Sequence, residues 1–522
     1  MRAAAIAAAA ASIAAVAACG EDDGGDAGPA ALVPADAPAY VELAVQPEGD
    51  AREDAEAALE KVAGSDDPGG DIAALFESAT GGGPGEFSEE IEPWLGERLG
   101  VYPSTLAGDT ETVLVVETTD PDEALSAFRD DESATGREQD YEGHTFELDD
   151  DGDAFTLVDD FIVFGRPAGL RQVIDVAEGG DALADSDQFT DAVDELPEDR
   201  LASLFAVPRT FIEAIPRREI DPEGQSLILE AMGDGADEPL LGDVTASGEQ
   251  LTLELSAAGS AIETAESDLL GQVPSDAFLS LALADIGAAV EDSLGQAERA
   301  GIPGVDAETL RRLILRESGI DVREVIGALG DGAAFVQGTS EESLGGAVLI
   351  ETNDADASAD LLVNVQELLA AEGLDVEPLA STSGDQGFQV APPAAPDSGL
   401  EGETGTTTPG GLRQPVTVVQ RDDRIVAAYG GEALNQVLST GGTQPLEKTQ
   451  LFRRARDAAG DLGTDVFVSI APLLQLAESA GLAEDESYLQ AKPYLDALEF
   501  LTIAAGSEGE RGVVRFVVGL DE

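Results

Sequence analysis

The chain has 522 residues, and its 27 Lys and Arg face 106 Asp and Glu for a formal charge of −79. A surface this acidic repels nucleic acid and anionic lipid headgroups, which disfavours direct binding to either. The apolar fraction of 43% is enough for a core in more than one domain, and a single cysteine excludes any disulfide within the chain.

The first segment reads as a lipoprotein signal peptide over residues 1–18. Arg2 opens it, an Ala-rich apolar run follows, and Val16-Ala17-Ala18 places small residues just before Cys19. Cys19 is the predicted lipidation site: its thiol takes a diacylglyceryl group and the residue becomes the new N-terminus. An ordinary cleaved signal and a membrane span are the alternatives. The run of roughly sixteen residues, mostly Ala, is short and weakly apolar for a span. Residues 19–32 contain GEDDGGDAGPAA, which is polar and without periodicity and reads as a flexible tether.

The folded part is expected to begin near Val33. Tyr40 to Val45 alternates as a strand does, and Ala51 to Val62 reads as a helix. Val113 to Glu117 is a buried-strand run. Asp120-Pro121-Asp122-Glu123 then opens a helix, with Asp120 as N-cap, Pro121 at the first helical position and acids set against the helix dipole. Thr145 to Leu148, Phe155 to Val158 and Phe161 to Phe164 form a meander. Ala168 to Ala177 is a helix and Leu251 to Leu255 a closing strand. Strands joined as hairpins and interspersed with helices predict an α+β fold: mainly antiparallel sheet with helices packed on it.

The pattern then recurs. Val33-Pro34-Ala35-Asp36-Ala37 returns as Val273-Pro274-Ser275-Asp276-Ala277, and Leu95-Gly96-Glu97 as Leu329-Gly330-Asp331. VLVVETTDPDEA, from Val113, returns as AVLIETNDADAS, from Ala347. Asp160-Phe161-Ile162-Val163 returns as Asp423-Arg424-Ile425-Val426, and Pro208 matches Pro472. Such spacing is too long for a solenoid repeat. It predicts two homologous α+β domains, 33–259 and 268–522, joined by a linker over 260–267. The second carries a Pro/Gly/Thr-rich insertion, 391–411, expected to be a disordered loop.

VPADAPAYVELAVQPEGD, YEGHTFEL, FIVFG and RQVIDVAEGGDALADSDQF resemble domain of unknown function 3352, a family found mainly in actinobacteria. The resemblance covers about 33–210 best. It implies an exported or membrane-anchored protein and brings no catalytic residues with it.

The residues themselves offer few sites. Asp149, Asp151 and Asp153 lie in the acid run DDDGD and are weak candidates for calcium, a hard cation that takes oxygen ligands from a tight loop. An EF-hand loop needs Gly at its sixth position and Glu at its twelfth. Here Gly152 is fourth from Asp149 and Asp160 is twelfth, which favours a plain hairpin tip. His144, the only histidine, leaves no His-based metal set and reads as an exposed or packing residue. Trp94, the only tryptophan, reads as a core anchor rather than a sugar platform. The Gly81–Gly85 stretch lacks the Lys-Ser/Thr of a phosphate loop. No cofactor is implied.

The expected function follows from location more than from chemistry. It is a non-enzymatic lipoprotein on the extracytoplasmic face of the cell membrane, held there by the lipid on Cys19, that binds an envelope protein or a small ligand and no nucleic acid. A carboxylate-dependent envelope hydrolase and a structural spacer are the alternatives. The charge adds an expectation of adaptation to high external salt, which screens acid–acid repulsion.

Overall fold

The computed structural model describes residues 28–46, 49–63, 91–106, 110–129, 134–149, 152–258, 269–288, 290–291, 311–312, 315–316, 321–379, 386–391, 414–438 and 444–521. They form two compact units. Unit 1 comprises residues 1–262, 492–498 and 505–522, and unit 2 comprises 263–491 and 499–504. The C-terminal end of the chain therefore belongs with the N-terminal unit. The fold is α+β, and all the strand pairings named below are antiparallel.

In unit 1 the chain runs through β1 (Tyr40–Ala44), α1 (Gly49–Ala63), β2 (Leu95–Thr105), β3 (Glu111–Thr118), α2 (Pro121–Arg129), β4 (Ala134–Tyr141), β5 (His144–Asp149), β6 (Ala154–Val158) and β7 (Phe161–Gly165). It continues through α3 (Pro167–Ala177), α4 (Asp187–Val193), β8 (Ala202–Ala206), α5 (Pro208–Ala214), α6 (Pro222–Met232), β9 (Leu240–Ser247) and β10 (Gln250–Ala258). Across the sheet the order is β4-β5-β6-β7-β3-β2-β1-β8-β9-β10.

The apolar run at Val113 shows why this sheet lies between two layers. Val113 and Val115 join a core with Tyr40, Phe146, Val163 and Leu170 of α3. Leu114 and Val116 point the other way, into a core with Leu43, Trp94, Phe155, Ile162 and Ala124 of α2. Covering both faces of a strand requires a continuous apolar run instead of an alternating one. The helix after β3 starts as its sequence dictates: Asp120 Oδ1 accepts the Glu123 N–H at 3.0 Å, with Pro121 first in α2.

Unit 2 carries β11 (Ala277–Leu283), α7 (Val322–Ala328), β12 (Leu329–Gln337), β13 (Gly345–Thr352), α8 (Ala355–Ala371), β14 (Val376–Pro378), β15 (Gln386–Val390), β16 (Val416–Arg421) and β17 (Arg424–Tyr429). There follow α9 (Gly431–Leu438), α10 (Gln450–Ala459), β18 (Val466–Ser469) and α11 (Ile470–Ser479), then α12 (Glu486–Asp496) and β19 (Leu498–Glu508), whose residues are divided between the units, and β20 (Arg511–Leu520), which belongs to unit 1. The strand order of unit 2 is β14-β15-β16-β17-β13-β12-β11-β18-β19. Read strand for strand, that is the order of unit 1 from β4 to β9. Asp354 caps α8 by accepting the Ala357 N–H at 3.0 Å, as Asp120 does three residues ahead in α2.

The loop expected over 391–411 lies outside the described residues from 392 onward. The strands that flank it, β15 and β16, pair with each other, as β5 and β6 do. The strand expected at Leu251 to Leu255 is present as β10, but it does not close the sheet. It pairs over its whole length with β20, from Gln250 against Gly519 to Ala258 against Arg511. β20 falls in unit 1, so the last strand of the chain completes the sheet of its first half.

Candidate functional site

The sequence candidates disperse. Cys19 and Asp151 lie outside the described residues, and of Asp149 only the backbone, at the end of β5, is described. Asp153 is engaged in an ion pair with Arg166, Oδ1 to Nε 3.1 Å. Among the described residues no three His, Cys, Asp or Glu side chains are grouped as a metal site needs. His144, at the start of β5, has its Nε2 3.3 Å from Glu178 Oε1. Trp94 is buried in the core beside Leu95 and Leu99.

The described carboxyl that the fold raises, that of Asp243, lies elsewhere, on a row across unit 1. Register places Glu42 of β1 opposite Ser203 of β8, Ser203 opposite Asp243 of β9, Asp243 opposite Glu254 of β10, and Glu254 opposite Arg515 of β20. Directly paired residues point to the same face of a sheet. These five polar side chains therefore form a ladder across strands whose other positions are largely apolar.

Each end of the ladder is anchored. At one end the Tyr40 hydroxyl donates to Glu42 Oε2 at 2.6 Å. Burial, reinforced by the Glu42 charge, holds that phenol well above the usual tyrosine range. At the other end the Arg515 guanidinium grips one oxygen of Glu254 twice, Nε at 2.7 Å and Nη2 at 2.6 Å. Nη2 of Arg515 also reaches Glu508 Oε1 at 3.3 Å. Arg511, four residues earlier on β20, donates through Nη2 to the Pro239 carbonyl at 3.0 Å and through Nε to Ser256 Oγ at 3.2 Å.

Asp243 sits between these anchored ends and is 6% exposed. Desolvation by burial, helped by the negative charge of Glu254, pushes its carboxyl up to about 7, and Arg200 and Arg515 only partly offset this. A carboxyl with that value is a candidate proton donor or acceptor near neutral pH. Glu254, bound by Arg515, is its negatively charged neighbour. Two adjacent carboxyls, one raised by burial and the other held by an arginine, form an arrangement that carboxylate catalysis uses, and one that also lets two acids sit side by side in a core.

Nothing in the sequence reading singled out this ladder. Asp243 and Glu254 are two of 106 acids, and alternation on a strand reads most simply as a solvated face. A signal existed in the basic residues, which are scarce: Arg511 and Arg515 lie on the same face of one strand, opposite Ala258 and Glu254.

The sequence profile of a family described as "Protein of unknown function (DUF3352)" matches residues 1–516. The chain belongs to the DUF3352 family. Among curated proteins none matches it significantly. Solved structures with some similarity include crystal forms III and I of TP0453. Each is 11% identical with a TM-score of 0.26 and covers 46% of this chain, and they are covered over 83% and 82% of their own length. Crystal form IV of TP0453 is 10% identical with a TM-score of 0.19, covering 80% of this chain and 98% of its own.

Proposed function

We propose that this DUF3352 protein is a lipid-anchored protein of the extracytoplasmic face of the cell membrane that binds a ligand or an envelope partner without chemical turnover. The observation that carries the reading is Cys19: the one cysteine of the chain directly follows Val16-Ala17-Ala18 and an apolar run with Arg2 at its start. A thioether-linked diacylglyceryl group together with an acylated amine gives the two or more chains that stable anchoring needs. The charge of −79 fits a protein that faces the medium and argues against a nucleic-acid partner. Changing Cys19→Ala is expected to leave uncleaved precursor or to release the protein from the membrane fraction, and mass spectrometry of the mature N-terminus is expected to find a lipidated Cys19. An unmodified Cys19, or a mature start elsewhere, overturns the anchoring.

A carboxylate-dependent envelope hydrolase is the second reading, and Asp243 with Glu254 is the observation that favours it. Its weakness is access, since Asp243 is 6% exposed. Incubation of the purified protein and its Asp243→Asn variant with cell-wall polysaccharide separates the readings. Product formation that the variant loses supports the hydrolase. Its absence from both leaves the ladder a structural element.

A further inference from the structure

The connection from β8 to β9 leaves the sheet as a pair of helices, and the pair is firmly built. Asp221 caps α6 by accepting the Gly224 N–H at 2.7 Å. The Gln225 side chain donates to the carbonyls of Ile212, at 3.0 Å, and Ile215, at 2.8 Å, which ties α6 to the end of α5. At the base, Arg209 at the start of α5 grips the Asp237 carboxylate through Nε and Nη2, the latter at 2.9 Å. That pairing holds the Asp237 carboxyl below its usual range. Gln188 of α4 donates to the Asp237 carbonyl at 2.8 Å.

This well-held pair turns apolar side chains to solvent. Leu227 is 60% exposed, and Phe211, Ile228 and Met232 each about 40%. Among the described residues of unit 1, four of the six exposed large apolar residues therefore lie on α5 and α6, the other two being Leu253 and Tyr494. A cluster of this kind on a rigid element marks a surface that is covered in use. In unit 2 the helices after β18 likewise expose Leu473, Leu482 and Leu489.

Charge decides what covers it. A second copy would bring another chain of −79 against the first, and an anionic surface would be repelled in the same way. A zwitterionic lipid surface has no net charge to repel. The turn between α5 and α6 holds Arg217 and Arg218, two of only 27 basic residues in the chain, both exposed. Arg218 Nε is 3.7 Å from Glu219 Oε1, which leaves Arg217 to meet a headgroup phosphate beside an apolar face that enters the acyl boundary. The proposed lipid anchor also sets a distance. From Cys19 to Gly28, where the described chain begins, the backbone reaches at most about 30 Å when fully extended.

We propose that α5 and α6 dock on a zwitterionic lipid surface, with Leu227, Ile228 and Met232 entering the headgroup–acyl boundary and Phe211 beside them. The inference rests on the lipid-anchored reading for its setting, and its test does not. The chain from Gly20 to Glu522 keeps every described residue and lacks Cys19. It is mixed with phosphatidylcholine vesicles in 0.1 M and 1 M NaCl and sedimented. Binding is expected at both salt concentrations, about tenfold weaker for the double variant Leu227→Gln, Met232→Gln. It is expected to be unchanged for Val363→Gln, which removes a 49% exposed apolar residue from α8. Vesicles containing phosphatidylglycerol are expected to bind less in 0.1 M NaCl. No binding to phosphatidylcholine, equal loss in the control variant, or a dimer in solution that the double variant dissociates overturns the proposal. Lipidation at Cys19 is read separately, from the mass of the mature N-terminus, so either idea can fail alone.

Discussion

Burial raises the Asp243 carboxyl to about 7, and this has a measurable consequence. Its folded value of about 7 lies above the 3.8 of a free aspartate. Between those values the folded state binds the extra proton, so stability is lost as pH rises through that window and is fully present below it. Above pH 7 the carboxyl must ionise beside Glu254, and only Arg200 and Arg515 attract it. The variant Asp243→Asn keeps the shape and removes the titration. It is expected to be about 2–4 kcal/mol less sensitive than the parent to a change from pH 5 to pH 8 in urea unfolding. Other acids shift with pH in both proteins, so the comparison isolates this one. Identical pH profiles for the two proteins would show that Asp243 ionises freely. Tyr40 at the other end of the ladder does not contribute in this range, since its phenol is raised further from neutrality.

At the level of elements, β20 is the piece whose role is least local. It lies against β10 through nine residue pairs, and Arg511 and Arg515 fasten it with charge-assisted bonds to the Pro239 carbonyl and to Glu254. Deleting residues 505–522 removes this partner and leaves β10 with unpaired backbone donors and acceptors along one edge. Amides of residues 250–258 that exchange slowly in the full chain are expected to exchange fast in the truncated one, and the truncated chain to self-associate. Retained protection in a monomeric truncated chain would mean that β10 needs no partner. This strand pairing was not legible in the sequence, where β10 reads as a closing strand, because pairing between positions some 260 apart leaves no local trace. Elements with a local cause were legible. The Asp120-Pro121 start of α2, the two-faced apolar run of β3 and the meander β5-β6-β7 follow from capping, burial and turn chemistry within a few residues. The helical pair α5 and α6 was missed because Gly224 stands in the first turn of α6 and its apolar residues face water, so no buried stripe marks it. The ladder was missed for the related reason that a buried acid and a solvated one look the same in a sequence.

For the whole molecule, the two units share details that strand order alone would not require. Thr118 N–H donates to the Asp160 carbonyl at 2.9 Å, and Thr352 N–H to the Asp423 carbonyl at 2.8 Å. Leu183 N–H donates to the Val33 carbonyl and Leu446 N–H to the Val273 carbonyl, both at 2.8 Å. The tight turns ahead of β7 and β17 begin with Asp159 and Asp422, both left-handed, at φ of 52° and 54°. The two units share an electrostatic problem, because acids outnumber bases in both. With −79 on a single chain, folding brings like charges together that the unfolded chain keeps apart, and dissolved salt relieves the cost. The melting temperature is therefore expected to rise between 0.05 M and 2 M NaCl. The shape of the rise identifies its cause. The Debye length falls from roughly 14 Å at 0.05 M to about 3 Å at 1 M, so screening alone is nearly complete by then and the curve should flatten. A continued steep rise above 1 M would instead indicate ions and water held by the carboxylates of the folded surface, as a protein adapted to concentrated brine would show. A melting temperature that stays level or falls with salt removes the salt-adapted reading and leaves the acidity as a means of staying dispersed.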